Sequence, residues 1–163
     1  MNIVQPIRDK NKLEELKEEL KKTGTRNYLM FLTGLNSGMR VSDVVNLTRD
    51  NIRNEDGTMK DHIVVLEKKT NKAKRFPLVN GLRIEMEKYT KNMKAGEYLF
   101  ESNKGTNKPI TTVQAYRIIN NAANNIGLNE IGTHTMRKSF GYHHTRKSWK
   151  RIWMDLFGTQ SLW

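Results

Sequence analysis

The segment from Arg26 to Leu35 carries Tyr28, Leu29, Phe31, Leu32 and Leu35, an apolar surface nearly all round a helix, and such a helix has to be buried on most of its sides. In a chain that is only 36% hydrophobic, with a mean hydropathy of −0.74, the core is modest and the surface heavily charged. This helix is therefore expected to be the most buried of the fold. Asn36-Ser37-Gly38 ends it, because Gly38 tolerates a left-handed turn. Ser42 with Asp43 is then expected to cap a short helix through Val44, Val45 and Leu47. Arg40 is thereby pinned in a tight corner between two helices, immediately before a new helix N-terminus.

Around this centre the chain reads as one domain of 163 residues. Lys10 to Lys22 is a surface helix with Leu13, Leu16 and Leu20 on one stripe, closed by Gly24. From Met59 the pattern changes: His62 to Glu67 is β-branched and strand-like, and Lys74 to Leu78 is a second short strand ending at Pro77. Lys68, Lys69 and Lys72 crowd the hairpin tip between them. Asn80 is expected to cap a helix whose stripe is Leu82, Met86, Tyr89 and Met93, and Tyr98-Leu-Phe100 reads as a short buried strand. A polar loop carrying Lys104 and Lys108 follows. Thr111 or Thr112 caps the next helix, which shows Val113, Tyr116, Ile119, Ala122, Ala123 and Ile126 before Gly127. The fold class is thus α+β, mainly helical with a small antiparallel β-sheet.

Gly132-Thr-His-Thr-Met-Arg-Lys-Ser-Phe-Gly-Tyr-His-His144 places a histidine and an arginine three residues apart at a helix entrance, capped by Thr133 or Thr135. His134 and Arg137 can point into one cleft, where orphan amides add to the side-chain charge and favour an anion. The balance of 29 Lys plus Arg against 17 Asp plus Glu, a net charge of +12, directs attention to polyanions, with phosphate backbones the commonest. With no cysteine there are no disulfides and no thiolate metal sites. No secretory signal or membrane-length apolar run is present, so a cytoplasmic protein with no membrane partner is expected.

Arg40 at a helix corner, Lys69 on a hairpin, and His134 with Arg137 at a helix entrance suit metal-free and cofactor-free chemistry on a phosphodiester. Guanidinium forks grip non-bridging oxygens, more tightly as charge builds in the transition state. A lysine or histidine can donate a proton to the leaving 5′ oxygen. These residues resemble the catalytic domain of the tyrosine recombinases, or phage-type integrases. The resemblance runs from about Pro6 to His144 and rests on four stretches: Thr33 to Leu47, Lys69 to Leu78, Tyr98-Leu-Phe100, and His134 to Gly141. It implies that Arg40 and Arg137 bind the phosphate. It also implies that Lys69 is the general acid, with Lys68 and Lys72 as competitors, and that His134 assists proton transfer. Lys104, Lys108 and Lys138 join Lys68 and Lys72 as expected DNA contacts, and an oligomer assembled on double-stranded DNA is the implied partner state.

Two departures from the family pattern qualify the implied activity. Members usually carry a further, core-binding domain ahead of the catalytic one, and only a few residues precede Pro6. The family also continues past the His134–Arg137 helix to a Leu-Gly-His-type turn and a tyrosine nucleophile, whereas no tyrosine follows Tyr142 here. Tyr142 lies five residues after Arg137, a rotation of about 500° that points it roughly 140° away from the Arg137 face. Tyr98 and Tyr116 fall on core-like stripes. Residues 145–163 hold all three tryptophans and read as an atypical tail, of the kind a frameshift or truncation produces. The expectation is a recombinase catalytic domain without its nucleophile, inactive as it stands. The alternative is a non-catalytic DNA-binding module that retains the phosphate groove.

Overall fold

The structure is a computed structural model that describes residues 6–67, 70–129, 131–132 and 135–144. Lys68, Lys69 and His134, with the tail from residue 145, lie outside the described residues. Helix α1 spans Lys10–Thr23 and α2 spans Thr25–Ser37. Five-residue α3, Val41–Val45, follows. Strands β1, His62–Leu66, and β2, Ala73–Pro77, pair antiparallel as a two-stranded sheet. A short 3-10 turn, Arg49–Asn51, follows α3, and helices α4, Asn80–Tyr89, α5, Thr112–Asn125, and α6, Thr135–His144, complete the described elements.

Helix α2 is the hub that its apolar circumference demands. Leu29, Met30, Phe31, Leu32, Gly34 and Leu35 are buried, and α1, α3, α4, α5, α6 and β2 all pack on it. Helix α1 buries Leu13, Leu16 and Leu20, and Asp9 caps it by accepting from the Asn11 N–H at 2.8 Å. In the hairpin the buried pair Ile63 and Phe76 face one another across the ladder, so the ribbon is pinned at its base. Towards the tip, Asn71 takes a left-handed φ of 56°, and Glu67 pairs with the Lys74 ammonium and accepts from the Thr70 hydroxyl at 2.9 Å.

Several local expectations are corrected by tertiary contacts. Arg40, not Ser42, occupies the N-cap of α3, and Val79, not Asn80, that of α4; neither supplies a side-chain cap. Tyr98-Leu-Phe100 forms no strand: only Tyr98 bridges, to Thr48, and the next residue, Glu101, bridges Pro109. Leu99 and Phe100 are nonetheless buried. On α5 the inward face is Ala115, Ile119, Ala122 and Ala123, while Val113 is 57% and Tyr116 37% exposed. Of the two candidate caps, Thr111 caps α5, and with Gln114 it forms a full capping box.

Two phenols carry a pH consequence. Burial pushes the Tyr28 hydroxyl up, with Lys21, 4.9 Å above the ring, opposing it in part. Burial also pushes up Tyr89, whose hydroxyl donates to the Leu99 carbonyl at 2.6 Å. A folded-state pKa above the unfolded value of about 10 gives stability that is complete below that pH and lost as pH rises through the folded value. The melting temperature is therefore expected to fall as the pH rises from about 9 to about 11. The drop should be shallower in a Tyr28→Phe/Tyr89→Phe chain, read by circular dichroism melts; parallel drops in both chains would contradict the assignment.

Candidate functional site

Arg40 is placed by a break and a restart of the main chain. Gly38 sits at φ 71°, its N–H donating to the Gly34 carbonyl at 3.0 Å, which ends α2. The Arg40 carbonyl then accepts from Asp43 at 2.9 Å and Val44 at 3.0 Å, which starts α3. Met39 and Val41 are buried on either side, so the backbone is clamped while the Arg40 side chain is exposed. The corner read from the sequence is real, although Arg40 itself is its capping residue.

Arg137 lies in the first turn of α6 and is only 9% exposed. Just ahead, fully buried Thr135 accepts from the Gly132 N–H through its hydroxyl at 2.8 Å. Its own N–H donates to the Gly132 carbonyl at 3.1 Å, so the entrance to the helix is tied at both ends of one turn. Helix α6 is seated against α2 at Gly34: a Cβ built there would stand 2.6 Å from the Met136 sulfur and 3.2 Å from its Cβ. Gly34 therefore sets how deeply the residue next to Arg137 can sit.

The two arginines interact. Burial lowers the Arg137 pKa most, the positive charge of Arg40 lowers it further, and Asp43 raises it by less than these together. The structure thus brings Arg137 within the field of Arg40 and Asp43. Asp43 had a structural reading only, and nothing in its sequence context marked it as an electrostatic partner. Two guanidinium groups held within each other's field, one of them desolvated, suit a doubly coordinated anion. Among the other expected residues, Lys72 is exposed at the hairpin tip and Lys138 is half-buried on α6. Exposed Lys108 lies on the loop before α5. Lys104 lines a separate hollow of about 300 Å³ with Arg26, Ile110, Gln114 and Arg117. Tyr142 is on α6, as expected, with the Arg8 guanidinium 5.7 Å from its ring centroid. Among the described residues no cluster of His, Asp or Glu could hold a metal ion, and no helix is long and apolar enough to cross a membrane.

Comparison with known proteins gives these features a family. Residues 8–156 match the phage integrase family, so the match continues past His144. The chain belongs to that family. It is 45% identical over 148 residues to the probable integrase/recombinase YoeC of Bacillus subtilis (strain 168), covering 91% of this chain and 78% of that protein. Among solved structures it is similar to XerA recombinase, with a TM-score of 0.77 and 20% identity over 98% of this chain and 58% of that one. A lambda integrase dimer bound to a COC′ core site gives a TM-score of 0.73 and 14% identity over 99% of this chain and 47% of that one. The chain thus spans about half the length of these solved relatives. Over the part that is aligned, they share this chain's mainly helical fold.

Proposed function

We propose that this chain is the catalytic domain of a site-specific DNA recombinase, acting in the cytoplasm on double-stranded DNA. Arg40 and Arg137 hold the non-bridging oxygens of one phosphodiester. Lys69 protonates the leaving 5′ oxygen and His134 assists proton transfer at the nucleophile. Lys68, Lys72, Lys104, Lys108 and Lys138 touch the DNA backbone. In the complete reaction a tyrosine oxygen attacks phosphorus, the bond to the 5′ oxygen breaks, and a 3′-phosphotyrosyl bond stores the energy for resealing. The observation that carries this reading is the buried guanidinium of Arg137 kept in the field of Arg40: two like charges held this way are relieved by a phosphate between them.

A second reading, a DNA-binding domain that does not complete the chemistry, is favoured by Tyr142. It sits on α6 beyond Arg137, with the Arg8 guanidinium 5.7 Å from its ring centroid. The polypeptide of these 163 residues is therefore expected to bind duplex DNA in the micromolar range or weaker at physiological salt, and to form no covalent adduct. Incubation with a nicked suicide duplex, followed by a denaturing gel and mass spectrometry, tests both statements. A 3′-phosphotyrosyl peptide from any tyrosine would refute the second reading, and absence of any DNA binding at low salt would refute both.

A further inference from the structure

We infer that Ser139 is a positioning residue for Arg137, acting through a strap formed by residues 6–9 at the start of the described chain. The Ile7 N–H donates to the Ser139 hydroxyl at 2.8 Å, and the Ile7 carbonyl pairs with His143 Nε2 at 2.7 Å. Both backbone groups of one residue are thus held by two side chains four positions apart on α6, the spacing that places them on one helix face. The Ile7 side chain is 4% exposed and Ser139 fully buried, so the clasp is anchored in the core. Arg8 continues it by stacking on Tyr142.

The clasp matters because of what α6 carries. The helix is seated in α2 through Gly34 and Met136, and the strap grips it through Ser139, one turn further along the same face and two residues from Arg137. A serine inside a helix commonly spends its hydroxyl on its own backbone. Here the hydroxyl accepts from a residue 132 positions away, which ties the chain's opening segment to the helix of the phosphate-binding arginine. Freed of the strap, α6 keeps Met136 seated on α2 but loses the restraint one turn further along the same face, and Arg137 loses its aim. This inference rests on the reading of Arg137 as a phosphate ligand.

The test uses the full chain in four forms: parent, Ser139→Ala, Arg137→Ala and the double variant, with His143→Ala as a second break in the same clasp. Hydrogen exchange is expected to rise in α6 on Ser139→Ala and on His143→Ala, with α4 unchanged. Duplex affinity is expected to fall about threefold or more on Ser139→Ala when Arg137 is present, and not at all when Arg137 is alanine. Ser139→Thr, which keeps the hydroxyl, should restore affinity. Unchanged α6 exchange in both clasp variants, or an equal loss of affinity in the two Arg137 backgrounds, would overturn the inference. If Arg137→Ala by itself leaves affinity untouched, the phosphate-ligand reading fails instead, and the exchange data still decide whether the strap holds α6.

Discussion

Replacing Arg137 by alanine is expected to weaken duplex binding about ten- to a hundredfold, through removal of a charge-assisted hydrogen-bonding interaction worth about 1.5–3 kcal/mol in all. The logarithmic salt slope should shrink by about 0.9 for each phosphate the arginine no longer neutralises, independent of sequence. Stability is expected to move the other way. The lowered pKa of Arg137 means that the fold disfavours its charged form, through burial first and Arg40 second. Arg137→Met keeps the aliphatic stem that fills the site and removes the charge, so its melting temperature should equal or exceed that of the parent while DNA affinity falls as far as in the alanine variant. Such opposed signs identify a group maintained for binding rather than for folding. Unchanged affinity in both variants, or a loss of affinity wholly explained by unfolding, would remove Arg137 from the site.

Gly34→Val is expected to cost about 3 kcal/mol, the upper part of the range for overpacking a filled core. The new Cβ would fall 2.6 Å from the Met136 sulfur and 2.9 Å from its terminal carbon, clashes that a flexible end can partly relieve. The 3.2 Å approach to the Met136 Cβ leaves much less room, because that atom moves only with the α6 backbone. Two further methyls then have no space. The small gain in helix propensity over glycine, a few tenths of a kcal/mol, does not offset this. The variant should melt well below the parent, and the part that remains folded should bind DNA poorly, since α6 is pushed away from the Arg40 corner. Gly34→Ala, which adds the Cβ alone, should fall between the two. A Gly34→Val chain as stable as the parent would mean that the helices are not seated as described.

The family, the mainly helical class and the two-stranded ribbon were legible in the residues, because each rests on short-range signals. The unbroken apolar circumference of Arg26 to Leu35 becomes the hub helix, and the Gly38 break produces the Arg40 corner. The β-branched run from His62 makes the first strand. Where several local choices were close in energy, the packed structure overrode them. Asn80 is a good cap in isolation, yet α4 begins on it and leaves Val79 as the cap. Of the apolar stripe expected on α5, Ile119, Ala122 and Ala123 take the inside together with Ala115, while Val113 and Tyr116 stay exposed. Tyr98 pairs with Thr48 through a single bridge because its partner residues arrive from a loop, not from a strand. Lys69, His134 and the segment from residue 145, on which much of the proposed chemistry turns, lie outside the described residues.

Residue identity and spacing alone pointed to the groups proposed to meet a phosphate: arginines at a helix corner and a helix entrance, in a chain of net charge +12. Only the tertiary structure decided that Arg137 is desolvated, that Arg40 and Asp43 act on it, and that Ile7 is clasped by Ser139 and His143. The physical reason is range. Caps, turns and periodic stripes are governed by interactions within a few residues, whereas burial of a charge and a hydrogen bond across 132 positions depend on how separate elements come to rest against each other.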